Sequence, residues 1–212
     1  MERIRRKVLK VKLLGQWQDG YIRCYPLTPS FDYTMKGILL TVTLFFAIVH
    51  THAQTSSNPA VPHYGAVFAQ VPGLSFTADK NLPYKVVIEI DKSDTGSAEI
   101  SQSLEIASRF VNLLAVDGIS QDKRSIVIIF HNAGSYCLQK NEAYQRKYGR
   151  PNPNLQILEE LTKAGVSFMV CGQSTVKRKL LPEELLPQVK IATSYMTAFV
   201  THQLKGYAAM KM

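Results

Sequence analysis

The sequence predicts a three-layer α/β sandwich around a mainly parallel sheet of about five strands. Three observations predict it. "YKVVIEID" is a short β-branched run and "SIVIIF" is apolar throughout, as strands buried on both faces are. Between such runs stand segments whose apolar residues recur at steps of three or four, the spacing of one helical face. The two kinds take turns from Tyr84 onward. Parallel strands joined through helices by right-handed crossovers satisfy that order.

The elements follow in sequence. The first strand is "YKVVIEID". "SAEISQSLEIASRFVNLLAVDG" then places Ile100, Leu104, Ala107, Val111 and Leu114 on one helical face, with Gly118 as the stop. "SIVIIF" is the second strand. Asn154 to Ala164 predicts a helix with Leu155, Leu158 and Leu161 on one side and Gly165 at its end. "VSFMV" is the third strand, "VKIAT" the fourth, and Ser194 to Leu204 a last helix. In sheets of this kind the functional crevice lies beyond the carboxyl ends of the strands. That rule selects "DKSDTGS", "HNAGSYC" and "CGQST". Dinucleotide binding needs a GxGxxG turn after the first strand, where the chain has Asp94-Thr95-Gly96, and a P-loop is missing too.

The front of the chain reads differently. "MKGILLTVTLFFAIVHTHAQ", from Met35, has Lys36 as a charged start, an apolar run from Gly37 to Val49, and the small residues Thr51 and Ala53 where a signal peptidase inspects. Residues 35–53 are therefore expected to be a signal peptide. Thirteen apolar residues span about 20 Å, short of the roughly 30 Å of a bilayer core, so an anchor fits less well. The mature protein is expected to be exported, periplasmic or else secreted, with no membrane association after cleavage. Residues 1–34 read as an upstream extension from a start assigned too early. "RRKVLK" also resembles the core of a twin-arginine signal, although a polar interval parts it from the apolar run. Residues 54–83, rich in Ser, Asn and Pro at first and then broken by Pro72, Gly73 and Pro83, form a linker and extended arm, and residues 84–212 the folded domain.

Charge argues against a nucleic-acid partner. Of the net +9, much lies in residues 1–53, which hold eight Lys/Arg and three Asp/Glu; the remainder carries only +4. No zinc-finger spacing and no aromatic-interleaved basic strand follows residue 54. Cys137 and Cys171 are the cysteines left after Cys24 is lost. They are too few for a structural zinc site, and no metal and no cofactor are expected.

Cys171 ends the third strand and precedes Gly172, after which "QSTVKRKLL" opens a short helix. Amides at a helix start favour an anion, and Lys177, Arg178 and Lys179 are near in sequence, so a stabilised thiolate or persulfide fits there. A packed core thiol fits the same pattern. His131 ends the second strand and suits a proton donor or orienting group as well as a hydrogen-bonded structural residue. Asn132 and Gly134 give its loop polar backbone. Cys137, expected to enter a helix, is a candidate resolving thiol if it reaches Cys171.

"YKVVIEID", "RFVNLLAVDG", "IVIIFHNAGSYCL", "NPNLQILEELTKAGVSFMVCGQST" and "HQLKGYAAMKM" together resemble the DsrE/DsrF-like family, in order and in spacing, over roughly residues 84–212. The resemblance implies a small α/β protein assembled as a homo-oligomer, a trimer or hexamer. It implies a persulfide on Cys171, passed to a sulfur acceptor after loading from a donor. The supporting candidates, read from the residues around the thiol, are His131, Asn132, Gly172, Gln173 and Cys137. The relays of this family work in the cytoplasm, whereas this chain is expected to be exported, so the same partners are not implied. A non-catalytic ligand-binding or assembly module of the same fold is the alternative.

Overall fold

The computed structural model describes residues 56–92 and 98–212. The expected extension and signal peptide, and residues 93–97 of the "DKSDTGS" loop, lie outside the described residues. In chain order the elements are β1 (Ser56–Ser57), β2 (Val67–Phe68), β3 (Tyr84–Ile90), α1 (Gln102–Val116), β4 (Arg124–Phe130), α2 (Asn141–Tyr148), α3 (Leu155–Lys163), β5 (Ser167–Cys171), α4 (Gly172–Arg178), β6 (Val189–Ala192), α5 (Tyr195–Leu204) and β7 (Ala208–Lys211). Strands β3 to β7 form one five-stranded sheet in the order β6-β5-β4-β3-β7, every neighbouring pair parallel.

Strand alternation gives the sheet two faces. On one, Val86, Ile88 and Ile90 of β3, Ile126, Ile128 and Phe130 of β4, and Phe168 and Val170 of β5 pack against Leu104, Ala107, Val111 and Leu114 of α1 and Ile157, Leu158 and Leu161 of α3. The other face carries Val87, Val127 and Ile129 and is covered by Tyr195, Ala198 and Phe199 of α5, with Met169 and Tyr207 beside them. The three layers are therefore α1 and α3, the sheet, and α5. Leu155, expected on the inner side of its helix, is only half-buried, and Ile157 takes the buried place.

Residues 56–68 run over α1 rather than free of it. Val61 is fully buried in the main core. Buried Asn112 of α1 accepts from the backbone N–H groups of Ala60 (2.9 Å) and Val61 (2.8 Å), and donates to the carbonyls of Tyr64 (2.9 Å) and Gly65 (3.0 Å). Gly65, at φ +63°, brings its backbone so near that of Arg109 and Ser108 that a Cβ there would overlap them. Glu160 of α3 adds its carboxylate, which accepts from the His63 N–H at 3.1 Å and lies 2.6 Å from His63 Nδ1.

Candidate functional site

A cavity of about 340 Å³ opens at the carboxyl ends of β4 and β5, beside the start of α5. Cys171, the last residue of β5, lies in its wall and is 5% exposed. Phe168 and Val170 point to the α1 and α3 side and Met169 to the α5 side, so alternation carries Cys171 to the α5 side as well. Burial pushes the thiol up. Hydrogen bonds from the Ser174 hydroxyl and from the backbone N–H groups of Tyr195, Ser174 and Gln173 outweigh burial and hold it below its ordinary value.

The Ser174 hydroxyl is oriented for that task. Its oxygen accepts the N–H of Asn132 at 3.0 Å, which leaves its hydrogen for the Cys171 sulfur. Asn132 reaches this position in the left-handed region, at φ +47°, which asparagine adopts more readily than most residues. Gly172 contributes by its lack of a side chain: a Cβ would stand 2.7 Å from the Ala192 carbonyl oxygen of β6. Gln173 offers its backbone to the sulfur and turns its side-chain amide to the Thr193 carbonyl, 3.3 Å away.

His131 follows β4 into the cavity wall. Its Nε2 lies 2.9 Å from Glu89 Oε1, and its ring stacks on Tyr195 at 4.0 Å and 9°. Burial raises Glu89, but hydrogen bonds from His131 and Tyr195 and the charge of Lys211 outweigh it and keep the carboxyl below its usual range. Lys211 Nζ stands 3.5 Å from both Glu89 Oε1 and Asp91 Oδ2. Tyr195 is pushed up to about 12, first by burial and then by its bond to Glu89, so its hydroxyl stays protonated and donates. An ionised Glu89 places the ring hydrogen of a neutral His131 on Nε2 and leaves a lone pair on Nδ1. Tyr195 thereby joins two functions, with its N–H on the sulfur and its ring under the imidazole.

Cys171, His131, Asn132, Gly172 and Gln173 come together around this cavity. Cys137 does not. It lies in a 3-10 helix, Asn132–Leu138, as expected of a residue in helical chain, but is 1% exposed and packs in the core on the α1 and α3 side, opposite to Cys171. No disulfide joins the two thiols. A resolving role for Cys137 would need the sulfur to cross the sheet. The basic run also acts differently from expectation. Lys177 and Arg178 line the cavity, Lys179 ends α4 in the left-handed region at φ 55°, and hydrogen bonds rather than these cations hold the thiol down.

Ser174, Tyr195 and Glu89 were not anticipated. Glu89 had a signal in the sequence, an acidic residue inside a strand otherwise fit for burial. Ser174 had a weaker one, a hydroxyl three residues after the cysteine. Tyr195 had none, because its nearness depends on β6 pairing with β5 so that Ala192 stands opposite Cys171. Among the described residues, no group of three or more His, Cys, Asp or Glu side chains is placed to hold a metal ion.

No curated protein matches the chain by sequence. Among solved structures, it is similar to a protein of unknown function, MTH1491, from Methanobacterium thermoautotrophicum, at 25% identity and a TM-score of 0.46, over 61% of this chain and 99% of that one. It is similar to the ychN protein from E. coli at 21% identity and a TM-score of 0.44, again over 61% of this chain and 99% of that one. The DsrE/DsrF-like family matches residues 87–212. With its parallel sheet of five strands and that match, the chain belongs to the DsrE/DsrF-like family.

Proposed function

We propose that the protein is a sulfur carrier that holds a persulfide on Cys171 and hands its outer sulfur to a partner thiol. The observation that carries this reading is the set of donors around one sulfur atom: a hydroxyl and three backbone N–H groups directed at Cys171 in the wall of a cavity. Such donors favour the thiolate that attacks, and they favour equally the anionic persulfide that results. Loading runs by attack of the Cys171 thiolate on the sulfane sulfur of a donor, whose sulfur bond breaks and whose leaving group takes the electron pair. Unloading is the same exchange in reverse, with a partner thiolate attacking the terminal sulfur and Cys171 leaving as thiolate. His131, fixed by Glu89 and Tyr195, is the group that supplies or takes up a proton at Nδ1.

The carrier is proposed to act outside the cytoplasm, since residues 35–53 read as an export signal. It is also proposed to work as a homo-oligomer, supported by an apolar stripe on α5 in which Met196, Val200 and Leu204 are 68%, 52% and 85% exposed. Incubation with a sulfane donor followed by intact mass measurement tests the central step. A gain of about 32 Da is expected on the wild type and none on Cys171→Ala. A wild type that gains no mass from any donor overturns the reading.

A further inference from the structure

We infer that the sulfur donor of this site is a small molecule whose leaving group bears an oxyanion, seated against Lys177 and Arg178; this rests on the carrier reading above. The cavity wall holds both cations and not a single Asp or Glu. Neither Lys177 nor Arg178 forms an ion pair with a carboxylate among the described residues. Arg178 is half-buried and held in place by Tyr136, with its guanidinium 5.2 Å from the ring centroid. Lys147, which does not line the cavity, stands over the same ring, its Nζ 3.6 Å from the centroid. Uncompensated cations on one wall of a cleft raise the local concentration of anions.

The hydrogen bonds that lower the Cys171 thiol come from Ser174, Tyr195 and Gln173, and Lys177 and Arg178 line the same cavity. A plain solvated helix face would explain Lys177 alone, but not Arg178, which is turned into the wall and clamped on an aromatic ring. The chemistry gives them a task. In attack on a persulfide R–S–SH, the Cys171 thiolate bonds to the terminal sulfur, the electron pair of the S–S bond goes to R–S, and the terminal proton passes to that leaving sulfur. Cys171 is left as an anionic persulfide beside RSH. With thiosulfate, the same attack releases sulfite and needs no proton. In both cases an oxyanion on the leaving group gives the cations a fixed charge to bind as negative charge moves onto the departing atoms.

The test uses the full chain and four donors: thiosulfate, and persulfides of 3-mercaptopropionate, 2-mercaptoethanol and cysteamine, which are close in size and differ in charge. The rate of the mass gain on Cys171 is the readout. Among the persulfides, that of 3-mercaptopropionate is expected to load roughly tenfold faster than that of 2-mercaptoethanol, with that of cysteamine slowest, and the preference is expected to shrink as salt is added. Lys177→Gln, at an exposed position, should lose part of the preference, and Lys177→Gln with Arg178→Gln most of it, read as the ratio of the rates with the 3-mercaptopropionate and 2-mercaptoethanol persulfides. Equal rates across the charge series, or a preference that survives both substitutions, would overturn this inference and leave the carrier reading standing. No loading from any of the four donors overturns both.

Discussion

At Cys171 one hydroxyl decides how much of the thiol is ionised near neutral pH. Ser174 is the side chain among its donors, and its oxygen accepts the Asn132 N–H at 3.0 Å. A hydrogen bond to a charged group contributes about 1.5–3 kcal/mol, equivalent to roughly one to two pH units in the midpoint of the thiol. The sign follows from the direction of the shift. A depressed thiol reaches its reactive plateau at lower pH, so Ser174→Ala should move the curve of alkylation rate against pH upward, toward the ordinary thiol value of about 8.5. At pH 7 the rate with iodoacetamide should fall about tenfold or more. An unchanged midpoint in the variant would show that the backbone N–H groups suffice without Ser174. The sequence exposed this residue only in part. Cys171, followed by a glycine at a strand end, was visible as a candidate, but the donors that tune it come from two segments, the starts of α4 and α5, and the second is placed by the pairing of β5 with β6.

Among the elements, those with a regular apolar period were legible and those without it were not. Leu104, Ala107, Val111 and Leu114 mark α1 in the sequence, and all four are buried. By contrast, α2 is "NEAYQRKY", in which only Ala143 and Tyr144 are buried, so it offers no periodic face to read. β7 is the four-residue edge strand "AAMK", half or fully exposed along its length, and it is held to β3 by backbone pairing that no side-chain pattern announces. Asn112 is the reverse case, a polar residue on the buried side of α1, where periodicity alone gives it no purpose. Its amide satisfies five backbone groups of the arm, from Ala60 to Gly65. Asn112→Ala should therefore strand those groups in an apolar seam or release the arm to water. A loss of about 1–3 kcal/mol of stability is expected, as for buried polar groups left without partners. Proteolysis within residues 56–66 should become faster in the same variant. Unchanged cleavage together with unchanged denaturant stability would mean that Val61 and Glu160 hold the arm without help.

For the molecule as a whole, the sheet is covered unequally, and α5 carries the consequence. Tyr195, Ala198 and Phe199 cover one face of the sheet, while Met196, Val200 and Leu204, four residues apart, form a second apolar stripe turned to solvent. A helix that is apolar on both sides belongs in an interior, so a second copy of the chain is the cover proposed for this stripe. The sequence revealed the layers, because alternation of strand and helix is a property of one chain, but a helix face covered by another copy reads like any other apolar face. Met196 belongs both to the stripe and to the wall of the Cys171 cavity, so the proposed contact between copies and the proposed sulfur chemistry would meet at the start of α5. Each apolar side chain buried fully there contributes about 1.5–3 kcal/mol, and a carboxylate in the same place opposes association by its desolvation. Wild-type protein should sediment as an oligomer at micromolar concentration. Val200→Glu with Leu204→Glu should sediment as a monomer with its circular dichroism preserved, because both side chains face away from the sheet. A wild type that sediments as a monomer, or a double variant that stays associated, would remove α5 as the contact between copies.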